Sequence, residues 1–243
     1  MNKATRFALA ATCLFLNGTE PANAQSPAPT KNVFVDVNFG LQPQSQSLTV
    51  SSTPLVYGET AFIDSTQAVD GSPFLDLAAG YRIWSDLSIA IGVTTTFNKG
   101  STASVSASIP SPIFFDRRVV TTTTLPDLEH KERSAHVMAV WTSPVTDKID
   151  ASIMAGPSYV KVFQGLVRNV TVAPGTQTPT ATAETQTATA VGFNVGGDVT
   201  FLVTPRIGVG GMFRYVKATV DLESVPGMEV GRIQFGGGLR VRF

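Results

Sequence analysis

The chain has 243 residues, 15% of them charged, and its 18 basic and 18 acidic side chains balance to a formal net charge of zero. This length suits one or two domains, and all-β barrels reach it as one. Charge this sparse falls well below the usual quarter of a soluble domain. A balanced chain also argues against nucleic-acid binding, which needs a basic face to displace counterions from phosphates.

Residues 1–24 read as a signal peptide. Lys3 and Arg6 give a positive start, Phe7 to Leu16 is an apolar run too short to span a bilayer, and Ala22-Asn23-Ala24 is a small-residue cleavage site. Cys13 fits a lipoprotein signal poorly, because Thr12 precedes it and the cut would halve the apolar run. Residues 25–31 form a short periplasmic lead-in. Cleavage removes the chain's one cysteine, so the mature protein has no disulfide framework and no thiolate chemistry. No later segment approaches the roughly 20 apolar residues of a transmembrane helix.

From residue 32 onward the pattern has period two. In chain order, Val33 to Leu41 sets odd-numbered apolar residues against Asp36, Asn38 and Gly40. Leu75 to Ile83 does so against Asp76, Gly80 and Arg82, and Leu87 to Phe97 against Ser88, Gly92 and Thr94. Ala135 to Trp141 alternates with Ser134, His136 and Met138. Ile149 to Tyr159 alternates with Asp150, Ser152 and Ser158, and Val191 to Phe201 with Asn194, Asp198 and Thr200. Ile207 to Tyr215 and Ile233 to Phe243 complete eight segments, with Arg214, Arg232, Arg240 and Arg242 on their second face.

That second face decides the architecture. It is built from Gly, Ala, Ser, Thr and Asn with one or two charges per strand, whereas a water-exposed sheet face carries more long charged side chains. Small residues with sparse Asp and Arg suit the crowded interior of a small closed barrel, leaving the apolar face to lipid. Closure follows, because an open edge in hydrocarbon strands its backbone groups.

Connections alternate in length. Trp84-Ser85-Asp86, Ser143 to Asp147 and Thr204-Pro205-Arg206 are short, while 42–72, 98–132, 164–187 and 220–230 are long. Outer-membrane barrels show this asymmetry between periplasmic turns and external loops. Aromatics sort into two girdles: Tyr81, Trp141, Phe201 and Phe243 near the short turns, and Phe39, Phe97, Tyr159 and Tyr215 near the long loops. Residues 99–109 and 113–124, flanking Pro110-Ser111-Pro112, read as a hairpin extending the third and fourth strands. The Thr/Ala/Gln/Pro stretch 173–190 reads as a low-complexity, mobile loop that extends strands near its ends.

The last strand, Ile233 to Phe243, resembles the terminal signal of bacterial outer-membrane proteins, with Phe235, Leu239, Val241 and Phe243 as its apolar positions. The run Gly196 to Tyr215 resembles the penultimate hairpin of the small eight-stranded outer-membrane barrel family that includes the OmpA membrane domain and OmpX-type barrels. The resemblance covers residues 32–243. It implies an all-β, eight-stranded, antiparallel up-and-down transmembrane barrel with both termini in the periplasm. It also implies outer-membrane lipid as solvent, and periplasmic chaperones and the barrel-assembly machinery as partners. No peptidoglycan-binding domain follows in this chain, so the anchoring role of full OmpA proteins does not carry over.

Candidate chemistry is thin. Glu132, Ser134 and His136 share a face, but residues two apart in a strand lie roughly 7 Å apart, too far for a nucleophile–base hydrogen bond. His130, His136 and Glu132 make a weak metal set. The expectation is a monomeric, non-enzymatic barrel with no cofactor and no metal, whose loop partner the sequence does not name. Its interior charges, Asp36, Asp76, Arg82, Asp150, Asp198, Arg214, Arg232, Arg240 and Arg242, must find partners because a lone charge inside a narrow barrel is costly. The expected result is an Asp/Arg network that plugs the lumen; the alternative is a narrow path for ions or small hydrophobic solutes lined by the same charges.

Overall fold

The computed structural model describes residues 32–43, 46–97, 100–114, 116–172 and 179–243, so the leader and lead-in lie outside the described residues. Among the described residues there are fourteen strands: β1 (Val33–Gln42), β2 (Gln46–Ser52), β3 (Leu55–Val56), β4 (Glu59–Thr60), β5 (Phe62–Val69), β6 (Ser72–Arg82), β7 (Leu87–Thr96), β8 (Ser101–Pro110), β9 (Arg118–Leu128), β10 (His130–Thr146), β11 (Ile149–Val172), β12 (Pro179–Leu202), β13 (Ile207–Val220) and β14 (Met228–Arg242). Eight of them close into an antiparallel barrel in the order β1-β14-β13-β12-β11-β10-β7-β6, with β6 pairing back onto β1. These are the eight segments of alternating hydropathy.

The apolar parity points outward. Ile89, Val195 and Phe235 are 50%, 46% and 50% exposed, while Asp76 and Arg214 are each 1% exposed. Ten residues separate Ile149 from Tyr159 on β11. At roughly 3.3 Å per residue and a tilt of about 40°, that run is about 25 Å tall, the height of a lipid-facing band.

Above this band the alternation inverts. On β11 the outward row passes from Tyr159 to Lys161 while Val160 and Val162 turn inward; on β13 Tyr215 gives way to Lys217 while Val216, Ala218 and Val220 turn inward. Here the sheet behaves as one in water, apolar inside and polar outside. The inversion marks where strands leave the membrane.

β1, β6 and β7 stop near the top of the band, whereas β10 to β14 continue past it. A second sheet, β2-β5-β8-β9, stands at the same end. Leu48 and Val69 from this sheet pack on Val160, Val162, Val216, Val220, Met228 and Val230 of the barrel extension. Ile63, Val105, Ile109 and Leu128 pack with Val167. The long-loop end is therefore two sheets facing each other across a dry core, with the first cluster lying over the barrel mouth.

Three loop expectations change. The stretch 164–187 is mostly strand among the described residues, because β11 runs to Val172 and β12 starts at Pro179, with Val and Leu on β11 and Thr and Ala on β12 across a ladder whose register shifts once, between Val167 and Asn169; β-branched residues suit such a surface. Residues 173–178 of the loop expected to be mobile lie outside the described residues. The hairpin at 101–128 forms as expected, but it joins β5 and β2 rather than simply prolonging β7 and β10. The 143–147 turn contracts to Asp147-Lys148, since β10 continues through an irregularity between Pro144 and Thr146.

Candidate functional site

The two inward rings Phe34 and Phe74 each sit beside a glycine on the neighbouring strand, Gly80 and Gly40. A Cβ on Gly80 would lie 2.2 Å from the Phe34 ring, and one on Gly40 would lie 2.7 Å from the Phe74 ring. These close approaches make room for two inward rings in a barrel of eight strands, whose interior is just wide enough for side chains.

The lumen is layered. Nearest the short turns, Arg242 Nη2 lies 2.6 Å from Asp150 Oδ2. Beside it Arg240 pairs with Asp198 and lies 3.7 Å from Asp36. Arg82 lies at this rim and donates to the Ser85 carbonyl. Asp36, Arg82, Asp198, Arg240 and Arg242 border a cavity of about 70 Å³, walled on its apolar side by Phe34, Ala90, Met138, Val140 and Met212. That space is enough for several waters.

The next layer closes the cavity. Arg214 Nη2 lies 2.6 Å from Asp76 Oδ1, and its Nε donates to Gln234 Oε1 at 3.0 Å. Asp76 also accepts from Thr94 Oγ1 at 2.6 Å and Asn38 Nδ2 at 3.1 Å. Because Thr94 gives its only proton to Asp76, it accepts from His136 Nε2, 3.1 Å away. His136 Nδ1 is then left to accept from Ser158 Oγ at 2.8 Å, and Ser158 in turn accepts from Asn194 Nδ2 at 2.9 Å. In an uncharged ring this chain of bonds selects the tautomer with its proton on Nε2.

Above lies a layer of amides around Glu132. Gln234 donates to Gln42, and Gln42 donates to Glu132 Oε2 at 3.3 Å. His130 Nδ1 meets Gln164 Oε1 at 2.7 Å, with its Nε2 3.4 Å from Glu132 Oε1. The Gly231 amide also reaches Glu132 Oε2, at 3.2 Å. β14 has outrun β1 at this height, and the carboxylate serves the bare edge. The apolar cap closes the lumen above.

Most of the charges expected inside are brought together: Asp36 with Arg240 and Asp198, Asp76 with Arg214, and Asp150 with Arg242. Arg232 stands apart. Gly231 and Arg232 have φ of 88° and 112°, which turns the side chain to the upper rim, where it bonds Gln46 and the Glu229 carbonyl. The Glu132/Ser134/His136 set is not assembled, because His136 engages Ser158 and Thr94 while Glu132 engages Gln42 and His130. No cluster of three potential metal ligands occurs among the described residues. Asn38, Gln42, Thr94, Ser158, Gln164, Asn194 and Gln234 complete the network. Their signal was their even parity, but their partners lie on strands distant in sequence.

The eight girdle aromatics lie on the outward parity; Tyr215 packs edge-on against Phe193 at 6.1 Å, and Phe39 lies 6.4 Å from Phe97. Phe235, Leu239 and Phe243 of the last strand also face out. Val241 shares their parity but is only partly exposed.

A closed eight-stranded antiparallel barrel with an apolar exterior and ion-paired interior has the fold of the small outer-membrane β-barrels. The chain is similar over most of its length to several solved structures. With Neisserial surface protein A it shares 17% identity at a TM-score of 0.44, over 87% of this chain and 97% of that one. With the outer membrane protein OprG from Pseudomonas aeruginosa the identity is 10% and the TM-score 0.46, over 88% and 96%. With the outer membrane protease OmpT from Escherichia coli the values are 10% and 0.46, over 87% and 97%. No family model and no curated protein matches the chain.

Proposed function

We propose that this protein is a non-enzymatic, monomeric integral protein of the bacterial outer membrane, exported by cleavage after Ala24, with a sealed lumen and an external β-sandwich that serves structure or surface interaction. One observation carries the reading. Asp76 and Arg214, each 1% exposed, bridge the lumen at 2.6 Å, and an apolar cluster lies over the mouth above them. A path for ions would have to break a buried ion pair and then wet a dry core, and each step is costly. The last strand, with Phe235, Leu239, Val241 and Phe243 at its apolar positions, is the segment offered to the assembly machinery, and periplasmic chaperones hold the chain until then.

Three measurements test this. Detergent-refolded protein should migrate faster on a gel unheated than boiled, as a closed barrel does; identical mobilities would reject the barrel. Planar bilayers containing that folded protein should stay silent; steady unitary currents would reject the sealed lumen and favour the narrow channel. Expression should leave lipid A mass spectra unchanged, and a new lipid A species would reject the non-enzymatic reading.

A further inference from the structure

One row above Tyr159, the outward face of β10 and β11 carries cations. Arg133 and Lys161 stand directly opposite each other in the ladder, and Lys131 is opposite Phe163 one row higher. Like charges directly opposite repel, and among the described residues neither Arg133 nor Lys161 has an acidic partner. Both lie over the Phe163 ring, 5.5 Å and 5.0 Å from its centroid. Glu132, between Lys131 and Arg133 in sequence, is turned into the lumen, and Glu129 accepts from Thr185.

Beneath these cations a groove of about 350 Å³ runs down the outer wall, lined by Leu77, Val93, Ala135 and Tyr159, with Arg133 and Lys161 at its head. Ala135 makes the floor, since its ladder partners on either side are Val93 and Tyr159. One outward row corresponds to about 5 Å of height in a tilted strand. The cations therefore sit at headgroup level and the groove at acyl-chain level.

We propose that this groove binds a phosphate-bearing lipid of the leaflet at the long-loop end. The phosphate lies between the Arg133 guanidinium and the Lys161 ammonium, and one acyl chain lies over Ala135 between Val93 and Tyr159. An anion relieves the repulsion that the ladder imposes, and the planar guanidinium matches phosphate oxygens in pairs. A groove in a lipid-facing wall selects an acylated anion over a free one. The inference rests on the membrane-barrel reading given above.

The test is native mass spectrometry of the full refolded protein released from detergent micelles, with lipid A as probe. Wild type should retain one lipid A. It should bind dephosphorylated lipid A about tenfold more weakly or worse, as loss of charge-assisted contacts implies, and excess inorganic phosphate should not displace lipid A. The R133Q/K161Q double variant should lose the preference for phosphate. A135W, which fills the floor, should lose lipid A while folding normally. Equal retention of phosphorylated and dephosphorylated lipid by wild type would overturn the proposal, as would unchanged binding in either variant or displacement by inorganic phosphate. Heat-modifiable mobility of the same wild-type sample separates the two failures: a sample that shifts on heating but shows no lipid preference refutes this site alone, whereas one that does not shift refutes the barrel.

Discussion

Replacing Asp76 with Asn keeps the shape of the central interior layer and removes its charge. Arg214 would then remain 1% exposed with its closest counter-charge gone. The other interior carboxylates are engaged elsewhere, Asp36 and Asp198 by Arg240, Asp150 by Arg242, and Glu132 by Gln42, His130 and the Gly231 amide. Breaking one half of a buried pair costs roughly 3–5 kcal/mol. With a urea slope of about 2–3 kcal/mol/M, the unfolding midpoint should fall by roughly 1–2.5 M. Removing both partners, as in Asp76→Leu with Arg214→Met, also removes both desolvation costs. The double variant should recover more than half of the loss, giving a clear coupling energy in a double-mutant cycle. Trp84 and Trp141 report unfolding by fluorescence in micelles, and gel mobility provides a second probe. A midpoint shift for Asp76→Asn below about 0.3 M, or a double variant that simply sums the single losses, would refute the argument that the pair neutralises an otherwise costly buried charge.

Gly80→Ala should lower stability by about 1–3 kcal/mol through overpacking, because the new Cβ meets the Phe34 ring at 2.2 Å; adding Phe34→Ala should relieve the clash, as read by the same urea series. Val195→Lys, in the lipid-facing band, should cost roughly 2–4 kcal/mol of stability in vesicles, whereas Thr66→Lys on the exposed face of β5 should be silent. At the external end, Glu223 accepts from Arg168 and Glu229 from Lys217, bonds that hold both carboxyls below the ordinary value of 4.5. A depressed carboxyl stabilises the fold above its unfolded value and loses that contribution as pH falls through its folded value. Protection of the 221–227 turn from proteolysis should therefore be constant from neutral pH down to the ordinary carboxylate range and decline below it. Decline between pH 8 and 6 would contradict the assignment.

Strand number and the direction of each face were legible because lipid imposes one rule on every outward position, and Ile89, Val195 and Phe235 obey it without reference to their neighbours. Interior partners were not, because they depend on barrel shear. Asp76 and Arg214 lie 138 residues apart on β6 and β13 and meet only across the closed lumen. Arg232 has the inward parity, yet its positive φ carries it to the rim. The apolar lid was written as a phase inversion at Val160, Val216 and Val230, readable only when both faces are followed beyond the girdle. The second sheet escaped notice because β2, Gln46–Ser52, holds just Leu48 and Val50 as apolar anchors.

The central claim is the direction of the oily face, and spin labels measure it position by position. Cys13 is the chain's one cysteine, so with Cys13 replaced by Ser, single cysteines at 191–199 on β12 can each carry a nitroxide in reconstituted vesicles. Collision with oxygen should alternate with period two, high at 191, 193, 195, 197 and 199 and low at 192, 194, 196 and 198. The reverse phase, with the even positions striking a water-soluble relaxant and the odd positions shielded, would contradict the account.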